Sequence, residues 1–83
     1  MISEVRKNMK EKTVKIDGIK FSGTNYDASD LQELAEAISH HGMINLPIVT
    51  VNEIGMYEIV AGEKRVLAAK MAGVKEITCL IRE

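Results

Sequence analysis

The chain has 83 residues, a net charge of −1, a hydrophobic fraction of 46% and one cysteine. This length predicts a single domain, and the charge argues against unaided binding of duplex DNA, because neutralising its phosphates normally requires a basic excess. The lone Cys79 excludes an internal disulfide, and no apolar run is long enough for a signal peptide or a membrane span, so we expect a cytoplasmic protein.

The N-terminal segment, residues 1–12, is dense in charges of both signs. Its apolar residues Ile2, Val5 and Met9 recur at helical spacing, so an amphipathic helix, a frayed tail and a partner-docking segment all fit. Residues 13–83 then form the predicted domain. They open with a strand over 13–21, bent at Gly18, and a loop over 22–27.

The first helix is predicted to begin at Ser29, which forms a capping-box pattern with Gln32. Gly42 supplies the left-handed residue at its end, and His40 and His41 occupy its last turn, where the helix dipole is negative. The apolar side chains fall at i, i+3, i+4 and i+7 and predict one buried stripe, formed by Leu31, Leu34, Ala35 and Ile38.

A β-hairpin is predicted next. Residues 46–51 are apolar on both faces and rich in β-branched side chains, which indicates a buried strand with Pro47 at its start or at an unpaired position. A turn over residues 52–55 connects it to a second strand over 56–60.

A second helix is predicted over residues 63–72, closed by Gly73, and a last strand over 76–82. The element order β-α-β-β-α-β predicts an α/β (α+β) domain with a mixed sheet and two main helices. Side chains expected to face the core are Leu67, Ala68 and Met71 of the helix and Ile77, Cys79 and Ile81 of the strand.

The junction of strand and helix at Gly62 has the features of a phosphate site. A helix N-terminus offers unpaired N–H groups and a partial positive charge, glycine permits close approach of the backbone, and Lys64 and Arg65 add full charges. An ordinary turn with solvated basic side chains is the alternative. Basic residues in a first turn are, however, unfavourable against the helix dipole unless something compensates.

Residues 57–73, YEIVAGEKRVLAAKMAG, resemble the segment Y-x-[IL]-V-A-G-E-R-R-x-x-A-A-x-x-A-G of ParB-type partition proteins. Upstream, LQELAEAI over 31–38, His41-Gly42 and Pro47-Ile48-Val49 are similar to that family's L-x-x-L-A-x-S-I-x-x-x-G-x-x-x-P-I-x-V stretch. The motifs follow the same order. The chain therefore resembles ParB N-terminal domains of the ParB/sulfiredoxin superfamily.

The resemblance implies a nucleotide-binding regulatory module for plasmid or chromosome partition or for transcription control. CTP is the expected nucleotide ahead of ATP, with Mg²⁺ accompanying it. No helix-turn-helix is encoded, so DNA is expected as an indirect partner, and a homodimer is left open. The implied triphosphate-binding residues are Gly62, Glu63, Lys64 and Arg65, and the implied nucleotide-pocket residues are Ser39, Gly42 and Pro47.

Two other functions stay open at this point. One is a small phosphotransferase or nuclease using ATP or ADP with Mg²⁺, in which Glu63 is a general base or metal ligand. Slow hydrolysis of a nucleoside triphosphate is a variant of this hypothesis. The other is a ligand-free protein-interaction module, with Glu63 simply a favourable acid at a positive helix end. Sulfiredoxin activity is not expected, because Glu63 takes the place of that enzyme's cysteine. No metal site is predicted from His40 and His41, since adjacent helical residues point about 100° apart.

Overall fold

The computed structural model of the chain describes residues 9–43 and 45–82. Within them five strands form one mixed sheet in the order β1-β5-β3-β4-β2. The predicted α/β architecture with a mixed sheet and two main helices is confirmed. The elements are β1 (Met9–Lys15), β2 (Ile19–Lys20), α1 (Ala28–His41), β3 (Ile48–Val51), β4 (Tyr57–Ala61), α2 (Glu63–Met71) and β5 (Glu76–Arg82).

The single strand predicted over residues 13–21 is two strands at opposite edges of the sheet. β1 pairs antiparallel with β5, and after a 3-10 turn over Ile16–Gly18 the short β2 pairs parallel with β4. Val14 is the one fully buried residue of β1. Backbone pairing with β5, rather than an apolar face, therefore defines most of this edge strand.

The N-terminal segment divides at Met9. Residues 1–8, which include Ile2 and Val5 of the helical spacing, lie outside the described residues. Residues 9–12 are extended and belong to β1, where Met9 is opposite Arg82. The predicted boundary between residues 12 and 13 thus falls within a strand.

Helix α1 is capped by Asp27 and not by Ser29. The Asp27 Oδ1 accepts hydrogen bonds from the Ser29 amide at 2.9 Å and the Asp30 amide at 3.4 Å, and the Ser29 hydroxyl also donates to it. The predicted capping box is wrong because this carboxylate, a charged acceptor at the positive helix end, already takes those amides. The same bonds, led by the one from the Ser29 side chain, lower the pKa of Asp27.

The predicted hairpin is confirmed. β3 and β4 pair antiparallel, and the Asn52 side chain accepts from the Ile54 amide at 3.1 Å and the Met56 amide at 2.9 Å across the turn. β3 begins directly after Pro47, as the proline predicted. Fewer residues of this strand are buried than predicted. Val51 is 50% exposed, and β5 pairs only with the first half of the strand.

Side chains from both helices and from one face of the sheet form a single core. The predicted α1 stripe is buried at Ala35 and Ile38. In α2, Met71 is 54% exposed instead of buried, because the packed face of that helix is set by Val66, Ala68 and Ala69. The strand residues of the core are Val14, Ile19, Val49, Ile77 and Cys79. No helix in the described part of the chain is long and apolar enough to cross a membrane.

Cys79 lies in this core with no exposed surface, as its place in the last strand predicted. Burial raises the pKa of the Cys79 thiol from 9.0 to about 11. Between these values the unfolded chain loses the thiol proton while the folded chain retains it, so folding stability falls as the pH rises. We expect a loss approaching about 3 kcal/mol across this window.

The free energy of unfolding in denaturant, measured at about pH 8 and about pH 10.5, tests this prediction for the Cys79 thiol. The control is Cys79→Ala, which lacks the thiol and keeps every other titratable side chain. The stability of the wild type should fall more than that of the variant. Equal losses in both proteins would contradict the prediction.

Candidate functional site

Gly62 joins β4 to α2 in a left-handed conformation, with φ +90° and ψ 21°. A Cβ atom at this position would lie 3.1 Å from both Cα and Cβ of Pro47. Pro47 is itself fully buried, and its carbonyl accepts a hydrogen bond from the Leu80 amide at 2.9 Å, so it is held in place. The structure thus places two of the predicted site residues, Gly62 and Pro47, side by side.

The N-terminus of α2 has no side-chain cap. The Val66 amide donates to the Gly62 carbonyl at 3.2 Å as the helix begins, and the amides of residues 63–65 precede that bond. Helix α1 differs, since Asp27 caps it. Uncapped first-turn amides together with the helix dipole provide donors for an anion.

Lys64 and Arg65 have different surroundings. The Lys64 Nζ lies 3.5 Å from an Asp30 carboxylate oxygen, and both side chains are substantially exposed. Arg65 is half-buried and forms no such ion pair with the other described residues. An exposed pair contributes at most about 1 kcal/mol, so Lys64 can exchange Asp30 for another anion.

The Glu63 carboxylate is bound to the loop between β2 and α1. Its Oε2 accepts from the Ser22 amide, and its Oε1 accepts from the Ser22 and Tyr26 hydroxyls, all at 2.7 Å. These bonds, led by that from the Ser22 hydroxyl, lower the pKa of Glu63. The bond to Glu63 raises the pKa of Tyr26.

Ser22 and Tyr26 were missed by sequence reasoning. They lie 41 and 37 residues from Glu63 along the chain, in a segment without periodicity. A serine and a tyrosine in a turn-rich loop have no pattern that points to a distant carboxylate. Only the placement of this loop against the start of α2 reveals the contact.

Ser39 and Gly42 lie at the C-terminal end of α1. Gly42 ends α1 with φ +75°, as predicted, and Ser39 is exposed one turn before it. Lys64 contacts Asp30 at the opposite end of the same helix. With a rise of 1.5 Å per residue, Ser39 lies about 14 Å along the helix axis from Asp30. The structure therefore brings together Gly62, Glu63, Lys64, Arg65 and Pro47, and separates Ser39 and Gly42 from the α1 end that Lys64 contacts.

Two shallow depressions flank the start of α2. One of about 310 Å³ lies on the Glu63 side, and one of about 360 Å³ lies on the Lys64 side between the two helices. Within residues 9–43 and 45–82, no cluster of three His, Cys, Asp or Glu side chains could hold a metal ion. The first depression is lined by Lys20, Phe21, Ser22, Glu58, Ile59 and Glu63, and the second by Asp30, Glu33, Leu34, Ala37 and Lys64.

The sequence matches the model of the ParB N-terminal domain over residues 3–83. It is 42% identical over 59 residues to the probable chromosome 2-partitioning protein ParB of Deinococcus radiodurans, covering 71% of this chain and 20% of that protein. It is 47% identical over 53 residues to the probable chromosome-partitioning protein ParB of Vibrio cholerae, covering 64% and 18%. The chain thus spans about a fifth of the length of these curated relatives.

Solved structures share the fold. The C-terminally truncated chromosome-partitioning protein ParB from Caulobacter crescentus, complexed with CTP-γ-S, superposes with a TM-score of 0.79 at 28% identity, covering 89% of this chain and 44% of that chain. Sulfiredoxin from Arabidopsis thaliana gives a TM-score of 0.78 at 22% identity over 89% and 85% of the two chains, a likeness of fold alone. Because the family match extends over nearly the whole sequence and ParB structures have this fold, the chain belongs to the ParB N-terminal domain family.

Proposed function

We propose that this domain binds a nucleoside triphosphate, CTP ahead of ATP, at the start of α2 and acts as a regulatory module in DNA partition or transcription control. One observation carries the proposal: a left-handed Gly62 leads into a helix N-terminus without a side-chain cap, and Lys64 and Arg65 stand in its first turn. Backbone donors, dipole and fixed positive charge coincide there, as binding of phosphate requires.

Each residue of the turn has a part in this proposal. The amides after Gly62 receive phosphate oxygens, and the Arg65 guanidinium donates a two-pronged contact. Lys64 leaves Asp30 and adds a point charge. Pro47 forms the wall behind Gly62, and Ser39 and Gly42, at the end of α1, are proposed to line the nucleoside part of the pocket. The solved ParB complexed with CTP-γ-S supports the choice of CTP.

Mg²⁺ fits this site as a companion of the nucleotide. The ion is usually held by substrate phosphates with one or two carboxylates and several waters. Glu63, the carboxylate of the turn, already accepts three hydrogen bonds from Ser22 and Tyr26. Phosphate oxygens are therefore the proposed main ligands of the ion.

The same contacts weigh against an enzyme that uses Glu63 as general base. A base works best with a pKa near the operating pH, whereas the hydrogen bonds lower the pKa of Glu63. Both carboxylate oxygens are also engaged with the loop. Binding with slow turnover, rather than efficient phosphotransfer or DNA cleavage, is the function that this geometry favours.

DNA is proposed as an indirect partner, contacted by another chain or by other domains. The net charge of −1 does not favour direct duplex binding by this domain. A solved ParB from Caulobacter crescentus, complexed to the centromeric parS site, covers 87% of this chain, which in turn spans 39% of that one. We propose that DNA contact, and a homodimer if one forms, involve parts beyond the nucleotide site.

Thermal unfolding with CTP, ATP, ADP and GTP, each with Mg²⁺, tests the proposed function. A ligand at a hundredfold its Kd stabilises the fold by about 2.7 kcal/mol, which raises the Tm of a domain this size by roughly 10–20 °C. A shift specific to CTP is expected. A Tm shift with ATP or ADP instead would favour the phosphotransferase hypothesis. No Tm shift with any nucleotide would favour the hypothesis of a protein-interaction module.

A further inference from the structure

We propose that Ser22 and Tyr26 are positioning residues that keep the phosphate site open by holding the Glu63 carboxylate away from the first-turn amides of α2. The inference rests on the proposed function, since it concerns access to the same site. On this inference, the loop between β2 and α1 raises the affinity for the nucleotide without contacting the nucleotide.

An acidic side chain in a first turn ordinarily opposes anion binding at that helix end. It interacts favourably with the positive end of the dipole, and a side-chain oxygen can accept from the free amides. Glu63 is the first residue of α2, directly beside the proposed phosphate position. Left free, its carboxylate would compete with phosphate for the amides and for the Lys64 and Arg65 charges.

The loop prevents this competition. It donates three hydrogen bonds of 2.7 Å, from the Ser22 amide and from the Ser22 and Tyr26 hydroxyls, to the two oxygens of Glu63. Such lengths are typical of strong bonds to a charged acceptor. The helix has no side-chain cap although an acid stands in its first turn. The carboxylate is directed to the loop, and the amides are left to a ligand.

The loop has internal bonds that fix its donors. The Ser22 hydroxyl lies 2.8 Å from the Thr24 hydroxyl, and the Thr24 amide donates to the Ser22 hydroxyl oxygen at 3.2 Å. Ser22 is therefore held by Thr24 within the loop from which it approaches Glu63. A positively charged side chain would also neutralise Glu63, but it would then sit at the phosphate site; neutral donors hold the carboxylate without adding a charge.

The test is a set of variants titrated with CTP and Mg²⁺ by calorimetry: Ser22→Ala/Tyr26→Phe, Glu63→Gln, and the triple variant. The double variant loses both hydroxyl bonds and keeps only that from the Ser22 amide, so the carboxylate is held less firmly and CTP binding should weaken by roughly 3- to 10-fold. Glu63→Gln removes the competing charge, so CTP should bind to it at least as tightly as to the wild type. In that background the two loop substitutions should change the Kd by less than about twofold.

Thermal unfolding without ligand checks that every variant folds, and Tyr26→Phe alone is the milder substitution should the double variant unfold. Tyr57→Phe is the matched control, because it removes a phenol hydroxyl that is not among the donors to Glu63; its Kd should equal that of the wild type. An unchanged Kd in the double variant overturns the inference. So does a large loss of affinity in Glu63→Gln, which would make Glu63 a direct ligand of the nucleotide or its ion.

Failure of the inference is distinguishable from failure of the proposed function. CTP binding by the wild type, with no effect of the loop substitutions, overturns the inference alone. Absence of CTP binding by the folded wild type overturns the proposed function, and the inference with it. Undiminished effects of the loop substitutions in the Glu63→Gln background would show that Ser22 and Tyr26 act on the nucleotide themselves, which also contradicts the inference.

Discussion

Gly62→Ala is expected to destabilise the domain by about 2–4 kcal/mol. The backbone at Gly62 has φ +90°, where an L-residue is strained, and the added Cβ would lie 3.1 Å from two atoms of buried Pro47. Strain and overpacking act together, since neither the turn nor the proline can move freely. At this chain length the loss corresponds to a Tm lower by roughly 10–25 °C.

A second glycine separates the two causes. Gly73 has φ +87°, close to that of Gly62, but a Cβ there meets nothing within 4 Å. Gly73→Ala should therefore show the backbone strain alone, about 1–2 kcal/mol. The difference between the two variants, measured by denaturant unfolding, reports the contact with Pro47. Equal destabilisation in both would contradict the view that close packing on Pro47 requires a glycine at position 62.

Arg65→Ala is expected to weaken CTP binding by roughly 10- to 150-fold, which corresponds to a charge-assisted contact of about 1.5–3 kcal/mol. Arg65 lies half-buried in the first turn of α2 and forms no ion pair with another described residue. The Arg65 guanidinium is therefore available to bind a phosphate. Calorimetric titration with CTP and Mg²⁺ measures the change.

Two further substitutions sharpen this prediction. Arg65→Lys keeps the charge but loses the two-pronged geometry, so its affinity should fall between those of the wild type and Arg65→Ala. Arg82→Ala removes an exposed arginine at the end of β5 and should leave the Kd unchanged. Because the Arg65 stem is half-buried, unfolding of each variant without nucleotide is measured alongside. If a folded Arg65→Ala protein binds CTP with wild-type affinity, the assignment of the phosphate site to this turn is contradicted.

Local chemistry predicted most of the elements. Periodicity identified α1, Gly42 marked its end, and Pro47 marked the start of β3, because glycine and proline act on their own backbone and immediate neighbours. The hairpin followed from two strands on either side of the turn over 52–55, and the buried Cys79 from alternation of apolar residues in the last strand. A strand that ends in glycine before a basic first turn likewise predicted the junction at Gly62, and the structure adds its left-handed conformation.

Contacts distant in sequence could not be predicted in this way. The split of one predicted strand into β1 and β2 depends on partners at opposite sheet edges, with Met9 opposite Arg82 and Ile19 opposite Tyr57. The cap at Asp27 instead of Ser29 is a local contact that was also missed, because two acceptors two residues apart compete for the start of the helix.

The sequence by itself determined the kinds of element, the family and the turn at which a phosphate is expected. The elements and the turn follow from residue types within a few positions of one another, and the family from the order of motifs over residues 31–73. Only the tertiary structure decided what surrounds that turn: Pro47 against Gly62, Asp30 beside Lys64, and Ser22 and Tyr26 on Glu63. These contacts join separate elements, and their geometry exists only once the sheet and both helices have packed.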